Sequence, residues 1–205
     1  MGVNLRGLIQ KLNNQTRNAV EAAAGLCLGR THYDVEIEHF LMKLLDGTDH
    51  DIALILRQCG VDRSRLASDL TKSLDKLKTG NARTPTLSPT FTKMLTQAWV
   101  IGSVEYGASR VRTGHTLVAL TTDEELVRLM RDVSHEFAKI NGESLRKDFP
   151  AIVADSIEEA TSDARDTGGA GEAGGAPRPG GGKTPNLDQF TVDLTERARK
   201  GRIDP

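Results

Sequence analysis

The chain has 205 residues, with only two cysteines, one tryptophan and 4% aromatic residues. Cys27 and Cys59 are too few for a disulfide framework or a zinc site, and each sits in an apolar helical pattern where a free thiol acts as a small buried hydrophobe. With so few rings, the core must be built from Leu, Ala, Ile and Val, which points to helices. No apolar run approaches the roughly 18 residues of a membrane span, and the start Met-Gly-Val-Asn-Leu-Arg lacks a signal-peptide core. A cytoplasmic protein with no membrane contact is expected. An excess of either charge is also missing. Lys and Arg number 27 against 28 Asp and Glu, a net charge of -1, so no nucleic-acid footprint is expected.

One sizeable core plus a tail fits this length. Composition shifts near Ala164. Residues 165–186 are dominated by Gly, Ala and Pro, which bury too little apolar surface to offset ordering entropy, so a flexible linker is expected there. Residues 187–205 regain helical spacing at Leu187, Phe190, Leu194 and Ala198. Nineteen residues make no core, and this stretch reads as the truncated start of a further module. The expected domain is therefore 1–164.

Within it the pattern is helical almost throughout. Leu5, Leu8, Ile9 and Leu12 form a stripe at i, i+3, i+4 and i+7 behind Asn4, a candidate N-cap. After Asn13 the Ala-rich run to Gly29 predicts a slim helix that lets neighbours approach closely. Ile37, Phe40, Leu41, Leu44 and Leu45 mark another helix, ending near Gly47. A further helix over Asp49 to Cys59 is stopped by Gly60 as a left-handed cap, with Val61 placed to touch Leu56. Asp62 caps the next, whose inner face is Leu66, Leu70, Leu74 and Leu77. This plan then repeats. Leu12 and Ala23 match Leu87 and Ala98 at an offset of 75, and His39, Leu41 and Leu44 match His115, Leu117 and Leu120 at 76. Leu66 and Leu70 match Leu145 and Phe149 at 79. Two copies of a four-helix unit, too long for a solenoid repeat, would pack as one pseudo-twofold globule. Ser88-Pro89 opens the second copy as N-cap and first-turn proline.

Chemistry is harder to find. Gly-Gly-Gly-Lys-Thr at 180–184 imitates a phosphate loop, yet the first glycine of that motif would be Pro177, which has no amide hydrogen, and no strand precedes it. His135-Glu136 begins a zinc-helix pattern that fails at Lys139. His39 and His115 recur at equivalent places beside core stripes and read as structural. No nucleophile elbow or cysteine-centred signature is present. Surface recognition remains. The stripe at Leu5 to Leu12 has no counterpart inside the repeat; it either caps the core or walls a groove that accepts a partner's amphipathic helix.

The run LNNQTRNAVEAAAGLCLGRTHYDVEIEHFLMKLLD, with GHTLVAL in the second copy, resembles the double-repeat N-terminal domain of Clp and Hsp100 unfoldases. More narrowly, AAAGLCLGRTHYDVEIEH, LRKDFPAIVADS and the closing LDQFTVDLTERARKGRIDP resemble the type VI secretion ATPases, the ClpV or TssH family of AAA+ proteins. The resemblance covers nearly the whole chain except the Gly-rich linker. It implies an all-α pseudo-twofold double repeat of a four-helix unit with an additional N-terminal helix. It also implies a chain holding the N-domain, the linker and the start of the first nucleotide-binding module. Such a piece would have no cofactor and no ATPase activity of its own, with ATP and Mg in the missing modules, and would be a monomer cut from a homohexamer.

The family's job is to recognise contracted secretion sheaths and disassemble them for recycling. Its N-domain binds an N-terminal helix of the large sheath subunit (VipB/TssC-like). By that likeness the peptide groove falls on Leu8, Leu12, Asn13, Thr16, Arg17 and Val20, with Phe91 and Leu95 opposite. The alternative is the N-domain of a general Clp/Hsp100 disaggregase or protease partner, which would bind unfolded chains or adaptors.

Overall fold

The computed structural model describes residues 4–158. The expected linker at 165–186 and module start at 187–205 lie outside the described residues. Asn4 caps α1 (Leu5–Gln10), its side chain accepting the Gly7 N–H at 3.1 Å. Two four-helix units follow. The first is α2 (Asn14–Gly29), α3 (Ile37–Leu44), α4 (Asp51–Gln58) and α5 (Arg63–Leu74). The second is α6 (Pro89–Glu105), α7 (Thr113–Thr122), α8 (Glu124–Val133) and α9 (Gly142–Ile152), with a 3-10 turn at His135–Lys139 ahead of α9. The fold is all-α, and α1 stands outside both units.

The helix ends follow local chemistry. Ser88 accepts the Phe91 N–H at 3.1 Å with Pro89 in the first turn, and Asp62 accepts the N–H groups of Ser64 and Arg65. After α4, Gly60 takes φ +65°, and the Val61 N–H reaches back to the Leu56 carbonyl at 2.9 Å, the backbone closure a left-handed glycine permits. Leu77 falls beyond the end of α5 and is only half-buried, so it is not part of the inner face expected of it. Pro150 in the last turn of α9 cannot donate to the carbonyl of Arg146; the Tyr106 hydroxyl does so instead, at 2.7 Å.

The sequence repeat reappears as hydrogen-bond symmetry. A two-residue strand β1 (Asp34–Val35) pairs in parallel with β2 (Thr86–Leu87), aligning Val35 with Leu87, and a single parallel bridge aligns Leu12 with Val111. These are the same contact in both halves. Each copy sends the residue before its first helix to the residue two positions ahead of the other copy's second helix. The Asn13 N–H donates to Val111 O at 2.9 Å, and the equivalent Ser88 N–H donates to Val35 O at 3.2 Å. Around these crossings lies one apolar cluster that draws on both units, including Phe40, Leu70, Phe91, Leu95, Leu117 and Phe149. Each such side chain contributes about 1.5–3 kcal/mol when fully buried.

The recurring histidines are structural. Nδ1 of His39 accepts the Glu36 N–H at 3.0 Å, and Nδ1 of His115 accepts the Arg112 N–H at 3.2 Å, so each ring closes the start of its own helix. The His115 ring packs against Gly102, where a Cβ would lie 2.5 Å from Nδ1, and against Tyr106 and Phe149. Burial holds His115 down at about 3; burial and then the neighbouring His32 hold His39 at about 4.

Candidate functional site

The additional helix meets the repeat at one corner. Asn13 turns the chain from α1 into α2 because its side-chain oxygen accepts the Thr16 N–H at 2.8 Å. The Val111 N–H donates to Lys11 O at 2.7 Å, and the Thr16 hydroxyl donates to Val111 O at 3.2 Å. Arg110 reaches the Gln10 carbonyl at 2.9 Å. The apolar face of α1 turns toward α6, and the Lys11 ammonium lies 4.9 Å from the Trp99 ring centroid, a cation–π contact. One strip of α6 near Trp99 stays open to solvent. Val100 is 46% exposed and Val104 77% exposed, one turn apart on the same face.

The eight residues expected to line the groove are not an open surface in this conformation. Leu8, Leu12, Asn13, Thr16, Val20, Phe91 and Leu95 are all buried, and Arg17 alone is partly exposed. Phe91 meets Phe40 edge-to-face at 5.5 Å in the shared core. The physical reason is that α1's stripe and the inner face of the slim helix α2 pack against the bundle, and the exposed valines of α6 lie beyond that seam. Arg17 Nε and Glu21 Oε1, one turn apart on α2, are shielded from solvent without a hydrogen-bond partner. Desolvation raises the Glu21 carboxyl above the usual range, opposed by the Arg17 charge.

Behind the corner is a polar cluster that sequence reasoning missed. Glu158, fully buried, accepts from Asn13 Nδ2 at 2.6 Å, from the Asp51 N–H at 3.1 Å, and from both the N–H (2.9 Å) and hydroxyl of Thr113. Beside it Arg112 grips Asp51 through two hydrogen bonds, Nε to Oδ2 at 2.8 Å and Nη2 to Oδ1 at 2.7 Å. Burial raises the Glu158 carboxyl, and the Asp51 charge raises it further. The one sequence signal here was Ser156, whose hydroxyl accepts the Glu158 N–H at 3.2 Å as a helix-start residue would. That pattern marks a turn and says nothing about burial.

The chemistry on offer is docking. Among the described residues, no group of three His, Cys, Asp or Glu side chains is gathered to hold a metal, and no helix is long and apolar enough to cross a membrane.

Comparison with known proteins agrees with this architecture. The family described as the Clp repeat (R) N-terminal domain matches residues 11–133. The chain is 40% identical over 202 residues to the AAA+ ATPase ClpV1 of Pseudomonas aeruginosa, an alignment covering 97% of this chain and 22% of that protein. It therefore spans about a fifth of that relative's length. A structure solved in work on the coevolution of the ATPase ClpV, the TssB-TssC sheath and the accessory HsiE protein is 35% identical, with a TM-score of 0.73, and covers 77% of this chain and 97% of the solved one. A complex of a ClpV N-domain with a VipB peptide is 31% identical, with a TM-score of 0.66, and covers 77% and 96%. Matched in sequence across the first repeat and much of the second, and in fold to nearly the full length of solved ClpV N-domains, the chain belongs to the Clp repeat N-terminal domains and, among them, to the ClpV type.

Proposed function

We propose that this domain recognises substrate for a type VI secretion AAA+ unfoldase by docking an amphipathic N-terminal helix of the large sheath subunit (VipB/TssC-like) alongside α1. The observation that carries the reading is α1 itself, a helix outside both four-helix units, with exposed valines on the adjoining α6. The solved likeness to a ClpV N-domain holding a VipB peptide supports the same reading. In it, the buried residues at the corner set the position of α1, while Arg17, Trp99, Val100 and Val104 offer accessible contact.

Three or four apolar anchors, at about 25 cal/mol per Å² and after association costs, support roughly micromolar binding. In a cytoplasmic homohexamer, six such domains would gain avidity on a contracted sheath that displays many copies of the helix, while sparing single subunits. ATP and Mg would be held by modules outside this chain, and the chain alone would not hydrolyse ATP. Titration with a labelled peptide from the sheath subunit's N-terminus tests the reading. Saturable micromolar binding supports it; no binding at high micromolar peptide overturns it. Equal binding to unrelated unfolded proteins would transfer the domain to the general disaggregase class.

A further inference from the structure

We infer that the Glu158 carboxylate is a latch joining the segment that follows α9 to the corner from which α1 springs. One side chain touches the starts of three helices: the N-cap side chain of α2 (Asn13, 2.6 Å), the first residue of α4 (Asp51 N–H, 3.1 Å) and the first residue of α7 (Thr113 N–H, 2.9 Å). Helix starts carry partial positive charge and unsatisfied N–H groups, which a carboxylate complements. The three helices come from both repeats. The backbone is stitched in at the same place, with the Ile157 N–H on Asp49 O at 3.1 Å and the Ser156 N–H on Val153 O at 3.0 Å.

Burying this carboxylate beside Asp51 is an expensive way to stabilise a fold, since apolar residues of similar volume do as well or better. What the charge provides is position. Asn13 uses its oxygen to cap α2 at Thr16 and its nitrogen to hold Glu158, so the residue that turns α1 into α2 is oriented by the segment after α9. Displacing residues 156–158 frees the Asn13 side chain and loosens the Asn13–Val111 and Val111–Lys11 hydrogen bonds that fix the α1 corner. The consequence for ligand rests on the function proposed above: docking along α1 and seating of Glu158 favour one another, and by linkage each strengthens the other equally.

The test follows amide hydrogen exchange in the 205-residue chain and needs no peptide. Glu158→Gln keeps the shape but turns an N–H₂ toward groups that are themselves donors. Exchange at Asp51 and Thr113 should quicken about tenfold, and so should that at Asn13, Thr16 and Val111, while amides around Leu70 in α5 stay within about twofold. Unchanged rates at Asn13, Thr16 and Val111 would overturn the latch, and so would uniform quickening that includes α5. Glu158→Asp keeps the charge on a shorter arm and serves if the Gln variant fails to fold; it should show the same regional pattern. Millimolar formate should slow exchange at these sites in Glu158→Ala and leave the unmodified chain unaffected; no rescue counts against a carboxylate role. With sheath peptide, Glu158→Gln should bind about threefold more weakly than the unmodified chain. Altered exchange with unaltered affinity would overturn the link to docking, whereas failure of the unmodified chain to bind peptide would overturn only the proposed function.

Discussion

Replacing Arg112 by Met removes the guanidinium bonded to Asp51 and leaves the carboxylates of Asp51 and Glu158 buried beside each other. Asp51 is fully buried and the Arg112 side chain is 8% exposed, so water cannot replace the lost partner. Breaking a buried pair from one side costs about 3–5 kcal/mol. For a domain of this size that is a fall in melting temperature of about 10 °C. The two single variants should differ. Asp51→Asn also relieves the repulsion that raises Glu158, so it should be the milder, and Arg112→Met the more severe. Replacing both, Asp51→Asn with Arg112→Met, should recover much of the loss because neither charge is then stranded. Thermal and urea unfolding of the four proteins at pH 7 gives the coupling energy directly. Repeating the series at pH 5, where Glu158 with its raised pKa is more nearly protonated, should narrow the gap between Arg112→Met and the unmodified chain. The reasoning fails if Arg112→Met is milder than Asp51→Asn, or if both cost less than about 1 kcal/mol and add.

Introducing a charge on either side of the seam should separate core from surface. Phe91→Asp buries an unpaired charge beside Phe40 and should abolish cooperative folding, losing more than about 4 kcal/mol, as circular dichroism would register. Val104→Asp, on a side chain 77% exposed, should shift melting by less than about 0.5 kcal/mol while weakening the sheath peptide in fluorescence titration; unchanged affinity would move the docking face elsewhere. Acid sensitivity should come partly from His39, held at about 4 against an ordinary value of 6.5. Its folded value is depressed, so the unfolded chain takes up the proton first: stability is intact above pH 6.5 and drains as pH falls from about 6.5 to about 4. His39→Gln should flatten the melting-temperature profile over that window, and a slope as steep as the original would refute the assignment.

Much of the fold was legible because its signals are local. Asn4, Ser88, Asp62 and Gly60 act within four residues of themselves, and the offsets of 75 to 79 report which helices correspond. The recurrence of His39 and His115 could be read as structural because both stand at the same helix start. The polar cluster was not legible, since Glu158 lies 107 residues from Asp51 and 145 from Asn13, and no periodicity encodes such a distance. The corner was legible as an addition to the repeat, but the exposure of its residues was not. A stripe at Leu5 to Leu12 looks the same whether it faces a groove or its own bundle, and only the packing against α6 distinguishes them. Val100 and Val104 passed unnoticed because isolated surface valines are ordinary.

The crossed pairing of Leu12 with Val111 and Leu87 with Val35 bears on how the molecule comes into being. Each half lends its leading segment to the other, as two swapped protomers would, except that here a peptide connection joins them. A half cut free would carry two raw edges and half a core, and would gain by pairing with a second half. On the ribosome Val35 meets Leu87 first, and the leading segment at Leu12 stays unpaired until Val111 has emerged.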